Sequence, residues 1–187
     1  MAAQIEIVPF NQEWAGLFEQ ERQLLQDCLL PLDPVVEHIG STSVKGLGAK
    51  PVIDILIGLP QEAQLAEVAG LLLEAGYCYF PCYEVELPER RFFARLPTLE
   101  RAVFDNLDQL PAQEQHPHTH HLHVVAHGSP FWKRRLGFRD YLRSHPVARD
   151  AYFRMKVKLA KGSWESENDY AAAKTAFIHR IEWLMGL

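Results

Sequence analysis

The sequence predicts an α+β fold in which a mixed sheet carries flanking helices. The order of patterns along the chain is helix, two strands, helix, further strands, and then helices alone. This order is typical of a mixed sheet with helices packed on it. We expect a single domain over residues 1–187, with a core over about residues 1–128 and a helical C-terminal part over about residues 129–187.

The first half of the chain is expected to supply two helices and two strands. Asn11 can cap the first helix, and Pro31 ends it. Gly76 stops the second helix. The predicted elements are a helix over 12–30, strands over 35–39 and 52–59, and a helix over 61–75.

The second half begins with strands and ends in helices. Ser129 with Pro130 forms an N-cap and a first-turn proline, and Ser166 with Asp169 resembles a capping box. The weakly periodic segment 97–117 is expected to be a surface insertion. The predicted elements are strands over 77–80, 91–96 and 119–125, and helices over 130–144, 146–160 and 166–186.

Composition and charge narrow the function classes. The net charge of −5 argues against a general nucleic-acid binder that neutralises many phosphates. Cys28, Cys78 and Cys82 match no zinc or redox spacing and are expected to be structural thiols. The N-terminus has no signal-peptide pattern, and no apolar run is long enough to span a bilayer. The sequence therefore predicts a soluble cytoplasmic protein without a membrane partner.

A Gly-Ser turn joins the first two strands. Gly40 allows a positive φ or the close approach of a ligand, and the residues after it offer backbone N–H groups. The hydroxyls of Ser41, Thr42 and Ser43, with the charge of Lys50, are candidates for binding phosphate. The alternative is an ordinary polar turn, because Gly and Ser are common turn residues.

Asp54 is the one ionisable residue of the apolar strand that follows. A buried carboxylate needs a cation, a metal or several hydrogen bonds. We expect Asp54 to ligate a divalent metal that bridges phosphates. The alternative is a structural carboxylate that bonds to nearby backbone groups or to a lysine.

Six histidines lie between residues 116 and 127, and two of them are candidate site residues. Alternation along a strand places His121 and His123 on one face. If their strand neighbours that of Asp54, these histidines can serve as metal ligand, phosphate donor or general base. The alternative is a pair of polar residues on a half-exposed sheet. The histidines at 116, 118 and 120 are expected to be solvated.

Two further groups of residues offer positive charge. Alternation places Arg91, Phe93 and Arg95 on one strand face, and arginine suits bidentate phosphate contact. Paired arginines on a strand are also common as plain surface charge. Tyr152 with Lys156, and Tyr170 with Lys174, have helical spacing. These pairs are candidates for supporting the pocket, but their default interpretation is that the lysine stem lies along the surface with its amine in water.

Taken together, these residues resemble the GrpB family, which is placed in the nucleotidyltransferase-like superfamily. The sequence departs from the family pattern at Lys45, where proline is usual, and in its longer 97–117 segment. The motifs that carry the resemblance are HIGSTSV (38–44), AKPVIDI (49–55), RRFF (90–93), HHLHV (120–124), GSPFW (128–132) and FRDYLR (138–143).

The superfamily resemblance implies a mixed sheet and a metal-dependent nucleotidyl-transfer site. Active members carry two carboxylates, two residues apart, on the strand after the turn, and these bind two metal ions. Here Val52 and Leu56 flank Asp54 instead. The residues therefore predict one metal ion, Mg²⁺ or Mn²⁺, held by Asp54 with His123.

Three functions are consistent with these residues. The first is a nucleotidyltransferase-like enzyme acting on a nucleotide or another phosphorylated small molecule. The second is a non-catalytic nucleotide-binding module that has lost the metal pair, and the third is a metal-dependent phosphohydrolase. The candidate catalytic residues are Asp54, His121 and His123, and the candidate phosphate-binding residues are Gly40, Ser41, Thr42, Ser43, Lys50 and Arg91.

Overall fold

A five-stranded mixed sheet forms the centre of the protein in this computed structural model, which describes residues 5–112, 114–164 and 167–187. The strands are β1 (Val35–Ile39), β2 (Ile53–Leu59), β3 (Cys78–Tyr79), β4 (Arg91–Arg95) and β5 (His120–Ala126). Their order across the sheet is β1-β2-β5-β4-β3. Only β2 and β5 run parallel; the other neighbours are antiparallel. The predicted α+β class is confirmed.

Helices cover both faces of this sheet. They are α1 (Glu13–Cys28), α2 (Val68–Glu74), α3 (Pro130–Ser144), α4 (Pro146–Ala160), α5 (Glu167–Ala172) and α6 (Thr175–Leu184). None of those described combines the length and the apolar character that crossing a membrane requires.

Two helix predictions differ from the structure. The helix expected over 61–75 is divided into a 3₁₀ segment, Glu62–Ala66, and the shorter α2. The side chains of Gln61 and Gln64 close a capping box on that first turn, which favours a separate short segment. The last predicted helix is also divided, into α5 and α6. Its expected cap, Ser166, lies outside the described residues.

The larger hydrophobic core lies between the sheet and the first two helices. Leu25 of α1, Leu72 of α2 and Leu122 of β5 are fully buried in it. On the opposite face, Phe131 and Trp132 of α3 cover a second cluster. Because both faces of β2 are covered, that strand has an almost continuous apolar sequence. Asp54 is its one ionisable residue.

The segment over 97–117 is only partly the surface insertion that the sequence predicts. Val103 pairs with Tyr79 beside β3, and Phe104 is buried against Phe80. The chain here folds back along the edge of the sheet. The residues that precede β5 therefore lie against the aromatic side chains packed around Phe80.

Gly58 of β2 allows α3 to approach the sheet. A Cβ at Gly58 would lie 2.6 Å from the Trp132 ring, which is itself almost fully buried. We expect Gly58→Ala to lower the free energy of unfolding by about 1–3 kcal/mol, because overpacking a filled core forces side chains to move. Urea denaturation measures this change.

Gly70→Ala is the matched control. Gly70 lies in α2, and a Cβ there meets nothing within 4 Å. Alanine at this exposed helical position should leave stability unchanged or raise it by up to about 1 kcal/mol. Equal stabilities for the two variants would show that Trp132 does not limit the approach of α3.

Candidate functional site

Asp54 and His121 meet on the sheet face that α3 covers. The parallel ladder places them directly opposite each other on β2 and β5. The Asp54 Oδ1 atom lies 3.2 Å from His121 Nδ1. The side chain of Asp54 retains 30% exposure, so the carboxylate remains accessible to a small molecule. The strands of the two residues are neighbours, so His121 shares a site with Asp54 under the condition that the sequence analysis set.

Gly40 allows the carboxylate to lie against the Gly-Ser turn. Its φ of 68° and ψ of −173° belong to a region that is nearly restricted to glycine. A Cβ at this position would lie 2.1 Å from Asp54 Oδ2. The oxygen therefore occupies the space that any other side chain at residue 40 would need.

The three hydroxyls of the turn have different partners. Ser41 Oγ accepts a hydrogen bond from Lys156 Nζ at 2.9 Å, beside Asp54. Thr42 is buried, lies 3.0 Å from a ring nitrogen of His38 and donates to the Val52 carbonyl. Ser43 donates to the Gly40 carbonyl. Ser41 thus joins the site, whereas the hydroxyls of Thr42 and Ser43 stabilise the turn.

Lys156 is a site residue that the sequence interpretation did not select. It lies on α4 with 2% exposure, and its amine also donates to the Gly48 carbonyl at 2.6 Å. Burial, followed by the charge of Lys174, lowers its pKa to about 7, while Asp54 opposes the shift. The only signal in the sequence was the four-residue spacing from Tyr152, which is common on exposed helices.

Asp54 stays ionised in this environment. Burial alone would raise its pKa, but the hydrogen bond from His121 and the charges of His121, Lys174 and His38 outweigh it. The pKa of Asp54 is therefore lowered. The carboxylate is a fixed negative charge among side chains that are mostly basic.

His118 extends the contact between Asp54 and His121. Its Nδ1 lies 2.9 Å from His121 Nε2, and its ring packs near Phe80. Burial, followed by the charges of His121 and Lys50, lowers its pKa to about 3. The histidines at 116, 118 and 120, which were expected to be solvated, are only partly exposed: His118 packs near Phe80, and His120 lies 3.9 Å from Glu21 of α1.

Hydrogen bonds link these three residues into a chain. Asp54 can only accept, so His121 Nδ1 carries a proton. His121 Nε2 and His118 Nδ1 lie 2.9 Å apart and share one proton, which either ring can donate. A proton can therefore pass between His118 and His121 beside the Asp54 carboxylate. The arrangement is suited to general acid–base chemistry.

His123 lies two residues further along the same face and has a different environment. Arg90 Nη1 lies 3.2 Å from His123 Nδ1, and because arginine can only donate, His123 accepts. Burial, followed by the charges of Arg90 and Arg135, keeps the pKa of His123 well below its usual value. His123 is therefore a neutral acceptor between two guanidinium groups.

Two charged residues that were predicted to bind phosphate differ in position, and Arg91 is the one that lies away from Asp54. Arg91 pairs in register with Val124 and points to the opposite face of the sheet, where it forms an ion pair with Glu84. It does not join the other candidates. Lys50 lies near His118, whose pKa its charge lowers.

The donor set does not fit a resident metal ion. Among the described residues, no group of three or more His, Cys, Asp or Glu side chains is placed to hold one. Asp54 Oδ1 already accepts from His121, and the charges of Lys174 and Lys156 lie close by. The Mg²⁺ or Mn²⁺ site on Asp54 and His123 stays a prediction, and no chemical step is assigned to a metal here.

Lys156 predicts a dependence of stability on pH. Its native pKa of about 7 lies below the ordinary 10.5, so between these values the unfolded chain binds more protons. Stability should therefore rise between about pH 7 and 9, by up to about 1.4 kcal/mol per pH unit, and should not depend on this group below its native pKa. Urea denaturation over this range measures the slope.

Lys156→Met should remove this rise, because methionine has no titrating group and a similar length. Lys158→Met, two residues further along α4 and exposed, is the matched control and should keep the wild-type slope. If Lys156→Met and wild type showed parallel pH profiles, the native pKa of Lys156 would not be shifted.

Comparison with known proteins identifies the family. The family described as GrpB protein matches residues 4–183. The glutamate-rich protein GrpB of Alkalihalophilus pseudofirmus is 30% identical over 179 residues, which cover 95% of this chain and 94% of that protein. A dephospho-CoA kinase from Mycobacterium bovis is 31% identical over 199 residues, covering 97% of this chain and 47% of the kinase.

A solved structure agrees with the fold. The crystal structure of the conserved protein GrpB from Enterococcus faecalis superposes with a TM-score of 0.74 at 30% identity. The match covers 95% of this chain and 94% of that one. Sequence and structure lead to the same assignment, and the chain belongs to the GrpB family.

Proposed function

We propose that this protein binds a nucleotide or another phosphorylated small molecule on the sheet face beside Asp54. The observation that carries the proposal is the positive charge that Lys156 and Arg135 bring to the surroundings of one carboxylate. Lys156 is buried and donates to Ser41, and Arg135 lies close enough to Asp54 for the carboxylate charge to oppose the lowering of its pKa. An anion would neutralise this positive charge.

The surroundings of Lys156 and Arg135 support the proposal. Among the described residues, no carboxylate lies within ion-pair distance of Lys156 or Arg135. A buried charge without a partner is costly, so its retention favours a ligand of opposite charge. Ser41 and the buried hydroxyl of Tyr152 add neutral hydrogen-bonding groups at the same place. The similarity to part of a dephospho-CoA kinase favours a nucleotide-containing ligand.

The single carboxylate favours a binding module over a two-metal transferase. Val52, which precedes β2, and Leu56 on β2 lie two residues to either side of Asp54, and both are apolar and buried. A second carboxylate is therefore missing from the strand on which active nucleotidyltransferases carry two.

The chain of Asp54, His121 and His118 favours a second candidate, an enzyme that transfers a nucleotidyl or phosphoryl group. Its hydrogen bonds of 3.2 and 2.9 Å support a base beside the proposed phosphate site. The acceptor hydroxyl would lose its proton to the hydrogen-bonded pair of His118 and His121 as it attacks phosphorus, and the leaving phosphate would depart with the electron pair of the broken bond.

Binding is tested by calorimetric titration with ATP, GTP, pyrophosphate and adenosine, each in Mg²⁺ and in EDTA. We expect the phosphate-bearing compounds to bind and adenosine not to bind. Lys156→Met should weaken phosphate binding about tenfold or more, since a charged hydrogen bond is worth about 1.5–3 kcal/mol. Lys158→Met should bind as wild type does. Failure of every phosphate compound to bind would refute the proposal.

Asp54→Asn separates the binding module from a metal-dependent site. If phosphates bind without metal, removing the negative charge should strengthen their binding, because like charges repel. If a metal ion bridges Asp54 to the phosphates, the same variant should weaken binding in Mg²⁺ and have no such effect in EDTA. Product formation by wild type, lost in Asp54→Asn and His121→Ala, would establish the enzyme.

A further inference from the structure

Arg90 is the most unusual charge on this face of the sheet. Its Nε atom is buried and has no hydrogen-bond partner among the described residues. Its Nη1 atom donates to His123, which is neutral and cannot balance the charge. The guanidinium also lies 5.2 Å from the centre of the Phe92 ring. These contacts hold Arg90 in position without supplying an acid, although the charges of Glu89 and Glu84 oppose the lowering of its pKa.

Arg135 of α3 adds a second uncompensated charge at the same place. Its guanidinium lies over the Phe131 ring at 4.7 Å. Burial, followed by the charge of Arg135, lowers the pKa of Arg90 to about 10. Burial also lowers the pKa of Arg135, against the attraction of Glu182 and Asp54. Neither arginine has a carboxylate within ion-pair distance in the part of the chain that is described.

Two partly buried guanidinium groups without an acid at ion-pair distance are unfavourable in the free protein. Removing an ion from water costs several kcal/mol unless an opposite charge and further hydrogen bonds replace the lost hydration. Guanidinium groups make their strongest contacts with phosphate or carboxylate oxygens. The pair around His123 is therefore arranged to receive an anion.

The position of this pair relative to Asp54 defines the ligand. His121 contacts Asp54, and His123 is two residues further along β5 on the same face. Two residues of a strand span about 7 Å. The contact of Arg90 with His123 therefore lies about 7 Å along β5 from the contact of Asp54 with His121, which is within the span of a short phosphate chain.

We propose that Arg90 and Arg135 form a second anion subsite, so that the ligand carries two anionic groups and is an oligophosphate or a nucleoside polyphosphate rather than a monophosphate. This inference rests on the proposed phosphate site at Lys156. It assigns anion binding to Arg90 and not to its neighbour Arg91, which lies on the opposite face and pairs with Glu84.

The test is a calorimetric titration with orthophosphate, pyrophosphate and tripolyphosphate. Wild type should bind tripolyphosphate at least about tenfold more tightly than orthophosphate, because tripolyphosphate makes a second charged contact. Arg90→Met should remove this preference and leave orthophosphate affinity within about twofold of wild type. Arg91→Met, the matched control, should retain the full preference.

Unfolding in urea without ligand supplies a second readout. Arg90→Met should unfold at the same or a higher urea concentration than wild type, because an uncompensated buried charge has been removed. An arginine with a structural role would shift the midpoint to lower urea. A lower midpoint combined with an unchanged tripolyphosphate preference would overturn the subsite.

The outcomes distinguish the two proposals. Binding of orthophosphate that depends on Lys156, without preference for longer chains, would overturn the second subsite and keep the proposed function. A preference for tripolyphosphate that Arg90→Met and Arg91→Met reduce equally would also overturn the subsite. Binding of none of the three probes by wild type would overturn both proposals.

Discussion

The sheet face that carries Asp54 depends on the contact between the Asp54 carboxylate and the Gly-Ser turn. One carboxylate oxygen fills the space left by the absent Cβ of Gly40, and the other accepts from His121. These contacts hold a negative charge in a strand that is otherwise apolar, against the cost of burial. The cations and histidines of α4, β5 and the turn are arranged around that charge, but they exceed it in number.

This imbalance connects the structure to the proposed function. Structural ion pairs in protein interiors usually come with a matching acid, and Arg139 shows this elsewhere in the chain, where it binds Glu37 and Asp140. Lys156 and Arg90 have no such acid among the described residues. This face holds the two cations in a buried or partly buried position and leaves Asp54 accessible. Its positive potential can be neutralised by a phosphate-bearing ligand.

The sequence predicted the part of the site that lies on regular strands next to a turn. Asp54 and His121 could be identified because a carboxylate in an apolar strand and a histidine on an alternating strand each stand out locally. Arg90 was missed in favour of Arg91, because pairing with β5 sets which residues of β4 face α3, and a shift of one residue reverses every side chain. Lys156 and His118 were missed because tertiary packing, not local pattern, buries them.

The central claim is that an anion belongs between Lys156 and the two arginines. The most direct measurement is an anomalous difference map from crystals soaked in tungstate, which has the shape and charge of phosphate. The account predicts a peak within hydrogen-bond distance of Lys156 Nζ and Ser41 Oγ, with a second near Arg90 in crystals soaked at higher concentration. Tungstate bound elsewhere, with this face of the sheet empty, would contradict it.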